Sequence, residues 1–392
     1  MPATAFTPGT LAGLTLRNRV IKTATYEGMT PGGVPSDALV AHHRTIAAGG
    51  VAMTTVAYCA VSPNGRTFAE QMYIHDGIVP HLRRVTDAVH AEGAAASLQL
   101  AHCGFFTKNE AITVPRPLAP SAIPNPYGFT VGLGRAAAMT EDDIAEVVRD
   151  FARAAGLAVE AGFDAVELHL GHGYLLSQFL SPATNRRRDR WGGSVENRAR
   201  LPLAVLRAVR ERVGPRVAVL AKTNLRDGFR GGLELEDAIE VVRRLEADGV
   251  DAVVLSGGFT SRTPFYLLRG GRPLRAMIAN DKSWLQKISL ALVGPFIIKK
   301  YPFTEMFFLD DARAVRRATR VPLVLLGGVV SRQNLETAMG EGFDYVALGR
   351  ALIHAPQFVA KLARGEVERS GCTSCNRCVV EMDRGGVRCV LV

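Results

Sequence analysis

Along this chain one short hydrophobic pattern keeps returning: a helix-like stretch ends at a glycine and an apolar run begins at once. The clearest copies are Ala161-Gly-Phe-Asp-Ala-Val-Glu-Leu-His169, Asp248-Gly-Val-Asp-Ala-Val-Val-Leu-Ser256 and Glu341-Gly-Phe-Asp-Tyr-Val-Ala-Leu-Gly349, with looser ones at Gly49 to Val56 and Glu92 to Gln99. A glycine closing a helix takes the left-handed conformation cheaply. The near-continuous apolar run after it suits a strand buried on both faces. Upstream, Thr140-Glu-Asp-Asp reads as a cap with an acidic first turn, and Ile144, Val147, Val148, Phe151 and Ala155 follow at helical spacing. Leu235 to Leu245, Asp310 to Ala318 and Ser331 to Met339 read the same way. Eight strands are predicted, at about 19–25, 51–57, 94–100, 163–169, 216–222, 251–256, 322–327 and 344–348. Eight alternating β and α units predict a (β/α)8 TIM barrel. A doubly wound sheet is the alternative, and the missing G-x-G-x-x-G after the first strand counts against it.

Residues 6–17 are expected to form an N-terminal hairpin or plug. Two connections exceed ordinary loop length. One is 101–139, rich in Pro and Gly. The other is the insertion at about 257–309, after the sixth strand. The expected division is a barrel over 1–365 and a Cys-rich tail over 366–392.

Composition narrows the class. The 392 residues are 47% hydrophobic and 21% charged, which excludes a disordered, collagen-like or disulfide-stapled chain. The net charge is +10, but the Lys and Arg are spread along the chain apart from Arg186, Arg187 and Arg188. That spread argues against nucleic acid and favours anionic small molecules such as a phosphorylated cofactor. MPATAFTPGT has neither the basic start nor the apolar run of a signal peptide, and no apolar stretch reaches the ~20 residues of a membrane span. Together with the cysteine pattern, this gives an expectation of a reducing, cytoplasmic setting.

In a barrel, polar residues at strand C-termini are candidates for chemistry. Gly327-Gly328 and Gly349-Arg350 follow strands seven and eight, where barrels bind phosphate; plain turn glycines are the bland alternative. His169, His172 and Tyr174 cluster just beyond a strand. They suit either zinc, for which no acidic third ligand is adjacent, or two donors polarising a carbonyl with Tyr174 giving a proton. Gln99 suits the edge of a heteroaromatic ring, or a buried amide bonded to backbone. Lys222 at a strand end needs an anion or electron-rich partner.

These elements resemble the old yellow enzyme family of FMN-dependent oxidoreductases, near its thermophilic-like and dienoyl-CoA-reductase branches. The resemblance runs from about Phe6 to Phe358. It rests on Leu16-Arg-Asn-Arg-Val-Ile, Gln99-Leu-Ala-His, the stretch from Glu167 through Pro182, Trp191-Gly-Gly-Ser-Val-Glu-Asn-Arg198 and Gly349-Arg350. It implies FMN at the strand C-termini. Thr23, Ala24, Thr25 and Tyr26 would lie along the flavin edge, with Tyr58 in contact. Gln99 and Lys222 would bond the pyrimidine end, and Gly328, Gly349 and Arg350 the phosphate. His169 and His172 would grip a substrate carbonyl and Tyr174 would donate the proton. NADH or NADPH would be the reductant and an enone the acceptor, a large and hydrophobic one if the insertion acts as a lid. Departures are Tyr26 for the usual Cys or Thr, Gly28 for an aromatic, Phe105 for an Arg and Lys222 for an Arg. The partly apolar insertion suits a lid over a large substrate or a homo-oligomer interface.

The tail carries Cys372, Cys375, Cys378 and Cys389. Such a four-thiol array suits a 4Fe–4S cluster, which the dienoyl-CoA-reductase branch carries at a similar place with slightly longer spacings, or zinc. Three rival functions stay open: oxidative demethylation or dehydrogenation on the same scaffold, a non-catalytic barrel binding a phosphorylated ligand, and a metal-dependent hydrolase using His102, His169 and His172.

Overall fold

A computed structural model describes residues 4–280 and 284–392. The chain opens with a hairpin in which β1 (Gly9–Leu11) runs antiparallel to β2 (Leu14–Leu16). β3 (Val20–Lys22) is followed by α1 (Asp37–Ala48), and β4 (Met53–Ala60) by α2 (Val79–His90). After β5 (Ala95–Ala101) comes a long connection with short strands β6 (Leu118–Ala119) and β7 (Ala137–Ala138), then α3 (Glu141–Glu160). β8 (Ala165–Leu170) leads to α4 (Leu175–Leu180) and α5 (Val195–Val213), and β9 (Ala218–Asn224) to α6 (Leu235–Ala247). β10 (Ala252–Ser256) precedes the insertion, which holds α7 (Leu274–Asn280) and α8 (Trp284–Ile297), and then α9 (Leu309–Ala318). β11 (Leu323–Leu325), α10 (Arg332–Gly340), β12 (Tyr345–Leu348), α11 (Arg350–His354) and α12 (Phe358–Ala363) complete the repeat, and α13 (Cys378–Glu381) lies in the tail.

Strands β3, β4, β5, β8, β9, β10, β11 and β12 form a closed barrel, and every pairing in it is parallel. The expected (β/α)8 barrel is therefore the observed fold. The doubly wound sheet falls because the last strand pairs with the first, Val346 opposite Val20. The strands are buried along both faces, which is why their sequences are apolar runs and not alternations. The recurring glycines Gly162, Gly249 and Gly342 all take positive φ, 78° to 88°, where helix gives way to strand. Thr140 and Asp143 form the capping box that opens α3: the Thr hydroxyl accepts from the Asp143 N–H at 3.2 Å and the carboxylate accepts from the Thr140 N–H at 2.7 Å.

Two strands are shorter than their apolar runs predict, and both shortfalls build the site. The first ends at Lys22 instead of residue 25. Thr23 still donates its N–H to Leu348 O at 2.9 Å, after which the chain leaves the wall. The seventh ends at Leu325 because Gly327 and Gly328 have φ of +103° and +79°, which no strand continues through.

The tail folds back over the barrel mouth and onto the insertion. The Gly271 N–H donates to Ser374 O at 2.8 Å, the Asn376 amide to Gly271 O at 2.8 Å, and the Val387 N–H to Glu27 O at 2.7 Å. This contact explains one departure in the sequence: a Cβ at Gly28 would strike the backbone carbonyl of Met382, so the tail occupies the space of a larger residue there.

Candidate functional site

On each strand alternate side chains face the barrel interior. Glu167 and His169 on β8 share a face, as do Lys222 and Asn224 on β9. The parallel register sets Gln99 beside Glu167 and His169 beside Lys222. The result is a buried polar knot. Lys222 Nζ donates to Glu167 Oε1 at 2.7 Å and to Thr23 Oγ1 at 3.1 Å, and Gln99 Nε2 donates to the same Glu167 oxygen at 2.7 Å. Lys222 and Glu167 are 1% and 3% exposed, so each charge depends on the other. The partner that Lys222 requires is thus Glu167.

A second knot supports the first. Lys22 Nζ bonds Glu27 Oε1 and donates to Thr55 O at 3.0 Å, and Glu27 Oε2 accepts the Ala57 N–H at 3.1 Å. Burial works against ionisation of Glu27, yet Lys22 and His43 hold its carboxyl down to about 2. The bonds to Thr55 and Ala57 pin β4 where its register shifts between Val56 and Cys59, and that irregularity aims Tyr58. Tyr58 Oη donates to Thr67 Oγ1 at 2.9 Å. Its ring lies 5.1 Å from that of Tyr174 and 5.6 Å from that of Tyr26. The Tyr174 ring lies 4.5 Å from that of His169. Burial raises the phenol pKa of Tyr58 and Tyr174, so both stay protonated across the neutral range.

His172 has φ +61°, in the left-handed region, and its N–H donates to Asn224 Oδ1 at 3.1 Å. Its Nδ1 lies 2.9 Å from His169 Nε2 and its Nε2 lies 2.7 Å from Ser256 Oγ. Both nitrogens of His172 are therefore engaged, while His169 Nδ1 is buried with no partner among the described residues. The pair does not present the two free donors that the sequence suggests. The open atom is His169 Nδ1. It is a donor when Ser256 donates to His172 Nε2 and the His172 Nδ1–H donates to His169 Nε2.

Both imidazoles resist protonation. Burial and then Lys222 hold His172 down to about 3, and burial, His172 and Lys222 push His169 below its ordinary value. A histidine depressed in the folded state binds its proton first in the unfolded chain. Stability is therefore full above about pH 6.5 and is lost as pH falls from there toward 3. Glu27, depressed to about 2, adds a loss that starts only near 4.5. Thermal melts against pH are expected to decline already between pH 6.5 and 5. A melting temperature flat to pH 5 would remove the buried neutral imidazoles.

Beside these knots runs a cleft of about 690 Å³, its open mouth included. Its lining includes Thr23, Ala24, Thr25, His172, Lys222 and Ser256 together with Gly327, Gly328, Gly349 and Arg350. Leu267, Leu268, Phe303 and Phe307 of the insertion and Cys372 and Ser374 of the tail close its side. A Cβ at Gly328 would come within 2.7 Å of Thr304 O, so the packing there leaves no room for a side chain. Thr25 Oγ1, on the cleft wall, is buried without a partner among the described residues. Arg350 Nη1 donates to Arg269 O at 2.9 Å and to Asn376 Oδ1 at 2.6 Å, which holds the guanidinium beside the glycines. An ammonium and an open hydroxyl on the same cleft as an arginine and three glycines fit a ligand that joins a polar ring system to a phosphate.

Of the sequence-derived candidates, Thr23, Ala24, Thr25, Lys222, His172, Gly328, Gly349 and Arg350 share the cleft. Gln99 reaches it through Glu167, and His169 through His172. Tyr26, Tyr58 and Tyr174 form the aromatic cluster alongside. His102 turns away: its Nδ1 accepts the Gly104 N–H at 3.0 Å. Among the described residues no three His, Cys, Asp or Glu side chains are grouped to hold a metal, so the three-histidine hydrolase has no geometry here. The same holds for Cys372, Cys375, Cys378 and Cys389. They lie half-buried near Arg350 and close enough to one another to raise each other's thiol pKa, and burial pushes the Cys378 thiol up to about 11, but no three of them are grouped as metal ligands among the described residues. Ser256, a polar residue at the end of its strand, lines the cleft as its position suggests, whereas Glu167, Glu27 and Lys22 are not singled out by the sequence. Period two along β8 links Glu167 to His169, and that is the one signal that could have found it.

The comparisons agree with this geometry. Residues 4–258 match the NADH:flavin oxidoreductase / NADH oxidase family. The 4,4'-dithiodibutanoate disulfide reductase of Rhodococcus erythropolis is 46% identical over 387 residues, covering 98% of this chain and 94% of that protein. An NADPH dehydrogenase of Listeria monocytogenes serotype 4a is 32% identical over 358 residues, 90% of this chain and 92% of that one. A solved 2-naphthoyl-CoA reductase complex shares the fold, with TM-score 0.79 at 23% identity; the chain covers about half of its length, 56%.

Proposed function

From the premise that this chain belongs to the NADH:flavin oxidoreductase / NADH oxidase family and is a flavin-dependent oxidoreductase, we propose that it holds FMN in the cleft and reduces an activated C=C bond of an enone-type acceptor. The observation that carries this reading is the neutral His169–His172 pair beside protonated Tyr174, at the cleft that Lys222 lines. Thr23, Thr25, Gln99 and Lys222 would hold the ring system, and Gly328, Gly349 and Arg350 the phosphate. Bound FMN would supply two-electron chemistry, taking a hydride from NADH or NADPH and passing it to the acceptor.

The protein's own part is electrostatic and protonic. Lys222 favours negative charge at the ring it faces, and Glu167 moderates that pull by sharing the ammonium. His169 Nδ1, as donor, would polarise the acceptor's carbonyl oxygen and make its β-carbon electrophilic. Tyr174 Oη holds the proton for the α-carbon, with Tyr58 and Thr67 hydrogen-bonded behind it. The tail's thiols enter no step.

The near full-length likeness to a disulfide reductase favours a second reading on the same residues. An organic disulfide and NAD(P)H with one further proton would give two thiols and NAD(P)+. Tyr174 or His169 would protonate the departing thiolate. The test is the visible spectrum of the anaerobic protein during titration with NADPH, then with cyclohexenone or 4,4'-dithiodibutanoate. Bleaching near ~450 nm that either acceptor reverses is the expected result. Reversal by the disulfide alone would select the second reading. A protein that binds no FMN would overturn both.

A further inference from the structure

The insertion carries a face that the barrel does not use. On α8 Trp284, Ile288 and Leu292 stand four residues apart, on one side of the helix, and are 68%, 50% and 68% exposed; Val293 beside them is 45% exposed. Large apolar side chains grouped in this way on a surface mark a contact site. The charge around them is one-sided. Between positions 257 and 304 the sequence has eight Lys or Arg against a single Asp, most of the chain's net charge of +10. Arg275 on α7 and Lys299 and Lys300 directly after α8 are exposed, and Lys287 lies within α8.

We infer that this face docks on an anionic lipid surface. An apolar patch with tryptophan at its edge, flanked by cations, is what binds at the headgroup level: the apolar groups enter the acyl boundary while lysines and arginines meet lipid phosphates. Each cation near such a surface adds to the attraction, and salt screens it. The helix spans only Trp284–Ile297, and no helix among the described residues is long and apolar enough to cross a membrane, so α8 lies on the surface and does not span it. A second copy of the chain fits less well. A standard interface takes about 20–30 residues a side, far more than four apolar side chains offer, and a copy would bring the same positive charge. Leu267, Leu268, Phe303 and Phe307 of the same insertion line the cleft, so docking would set the cleft beside the lipid.

Trp284 is its own reporter. The other tryptophan, Trp191, is buried with its indole N–H donating to Glu141 at 2.7 Å. The test adds vesicles of equimolar phosphatidylcholine and phosphatidylglycerol to the full chain. The expected result is a blue shift of emission that Trp284→Phe removes, and co-sedimentation that falls at least about tenfold in ~0.5 M NaCl or with phosphatidylcholine alone. W284S/I288S/L292S is expected to lose co-sedimentation while keeping its melting temperature and bound flavin, since the three side chains are exposed. Should that variant not fold, Leu292→Ser with Trp284→Phe serves the same comparison. No blue shift and no co-sedimentation would overturn the inference. Binding that persists undiminished in the exposed-face variants would do so too, as would a concentration-dependent dimer that these substitutions abolish, which would assign the face to a second copy.

Discussion

Tyr174→Phe is expected to slow acceptor reduction by roughly 10²–10³-fold while leaving flavin reduction by NADPH within about twofold, because only the acceptor half-reaction needs a proton from the phenol. Burial keeps the Tyr174 proton in place through the neutral range, and its ring lies 4.5 Å from that of His169, so the proposed donor and the proposed carbonyl-polarising group are neighbours. Stopped-flow spectra separate the two half-reactions. Equal losses in both would remove Tyr174 as proton donor and make it a wall of the cleft. The acceptors differ in what they ask of the phenol. A carbon centre cannot take a proton from bulk water as readily as a thiolate can, so the penalty should be larger with the enone than with the disulfide. Tyr58→Phe, which removes the hydroxyl behind Tyr174, should cost less than Tyr174→Phe in the same half-reaction.

Lys222→Met is expected to weaken FMN binding by roughly two orders of magnitude and to lower the melting temperature. The substitution strands the Glu167 carboxylate, 3% exposed, without its 2.7 Å partner, and breaking one side of a buried pair costs about 3–5 kcal/mol. Two effects are folded into that loss, and a double-mutant cycle parts them. K222M/E167Q should recover most of the stability, because no buried charge is left alone. It should not recover the affinity, because the ammonium that faces the flavin is still missing. Glu167→Gln alone should raise the flavin's midpoint potential, since Lys222 then keeps its full charge toward the ring. An affinity fully restored in the double variant would show that Lys222 acts only by neutralising Glu167.

The fold was legible because its signal is long-range and redundant. Eight buried strands, most of them introduced by a glycine after a helix, leave little choice of architecture, and even the cap at Thr140 could be read directly. The ends of β3 and β11 were not legible: residues that suit a strand, Thr23-Ala24-Thr25 and Leu326, continue past the last paired residue, and only the departure after Thr23 and the turn at Gly327 and Gly328 stop the strands. Within the site, residues that line the cleft were singled out by type and position, whereas Glu167, Glu27 and Lys22, which serve other residues, were missed. Glu167 lies inside an apolar run, and nothing local says which lysine it meets; Glu27 follows β3 in a loop whose path the sequence does not give. Lys222 becomes the partner of Glu167 through register, a property of paired strands and not of either strand alone, and Lys22 meets Glu27 because the chain turns back over the end of β3. The engagement of His172 by Ser256 was hidden for the same reason, since 84 residues separate the two.

The meeting of β12 with β3 has a consequence for folding. These two strands close the barrel, Val346 opposite Val20, and no other pairing in it joins parts of the chain so far apart in sequence. Loop closure over such a span is slow and weakly rewarded until its contacts form, so this seam is expected to knit late and to open early. The cleft straddles it: Thr23 follows one strand, Gly349 and Arg350 follow the other, and a Cβ on Gly349 would already press on the Thr23 methyl at 3.3 Å. A ligand lying across the cleft therefore works as a clasp on the last stitch of the barrel. Its contribution to the lifetime of the native state should exceed what its contacts with either wall alone would give.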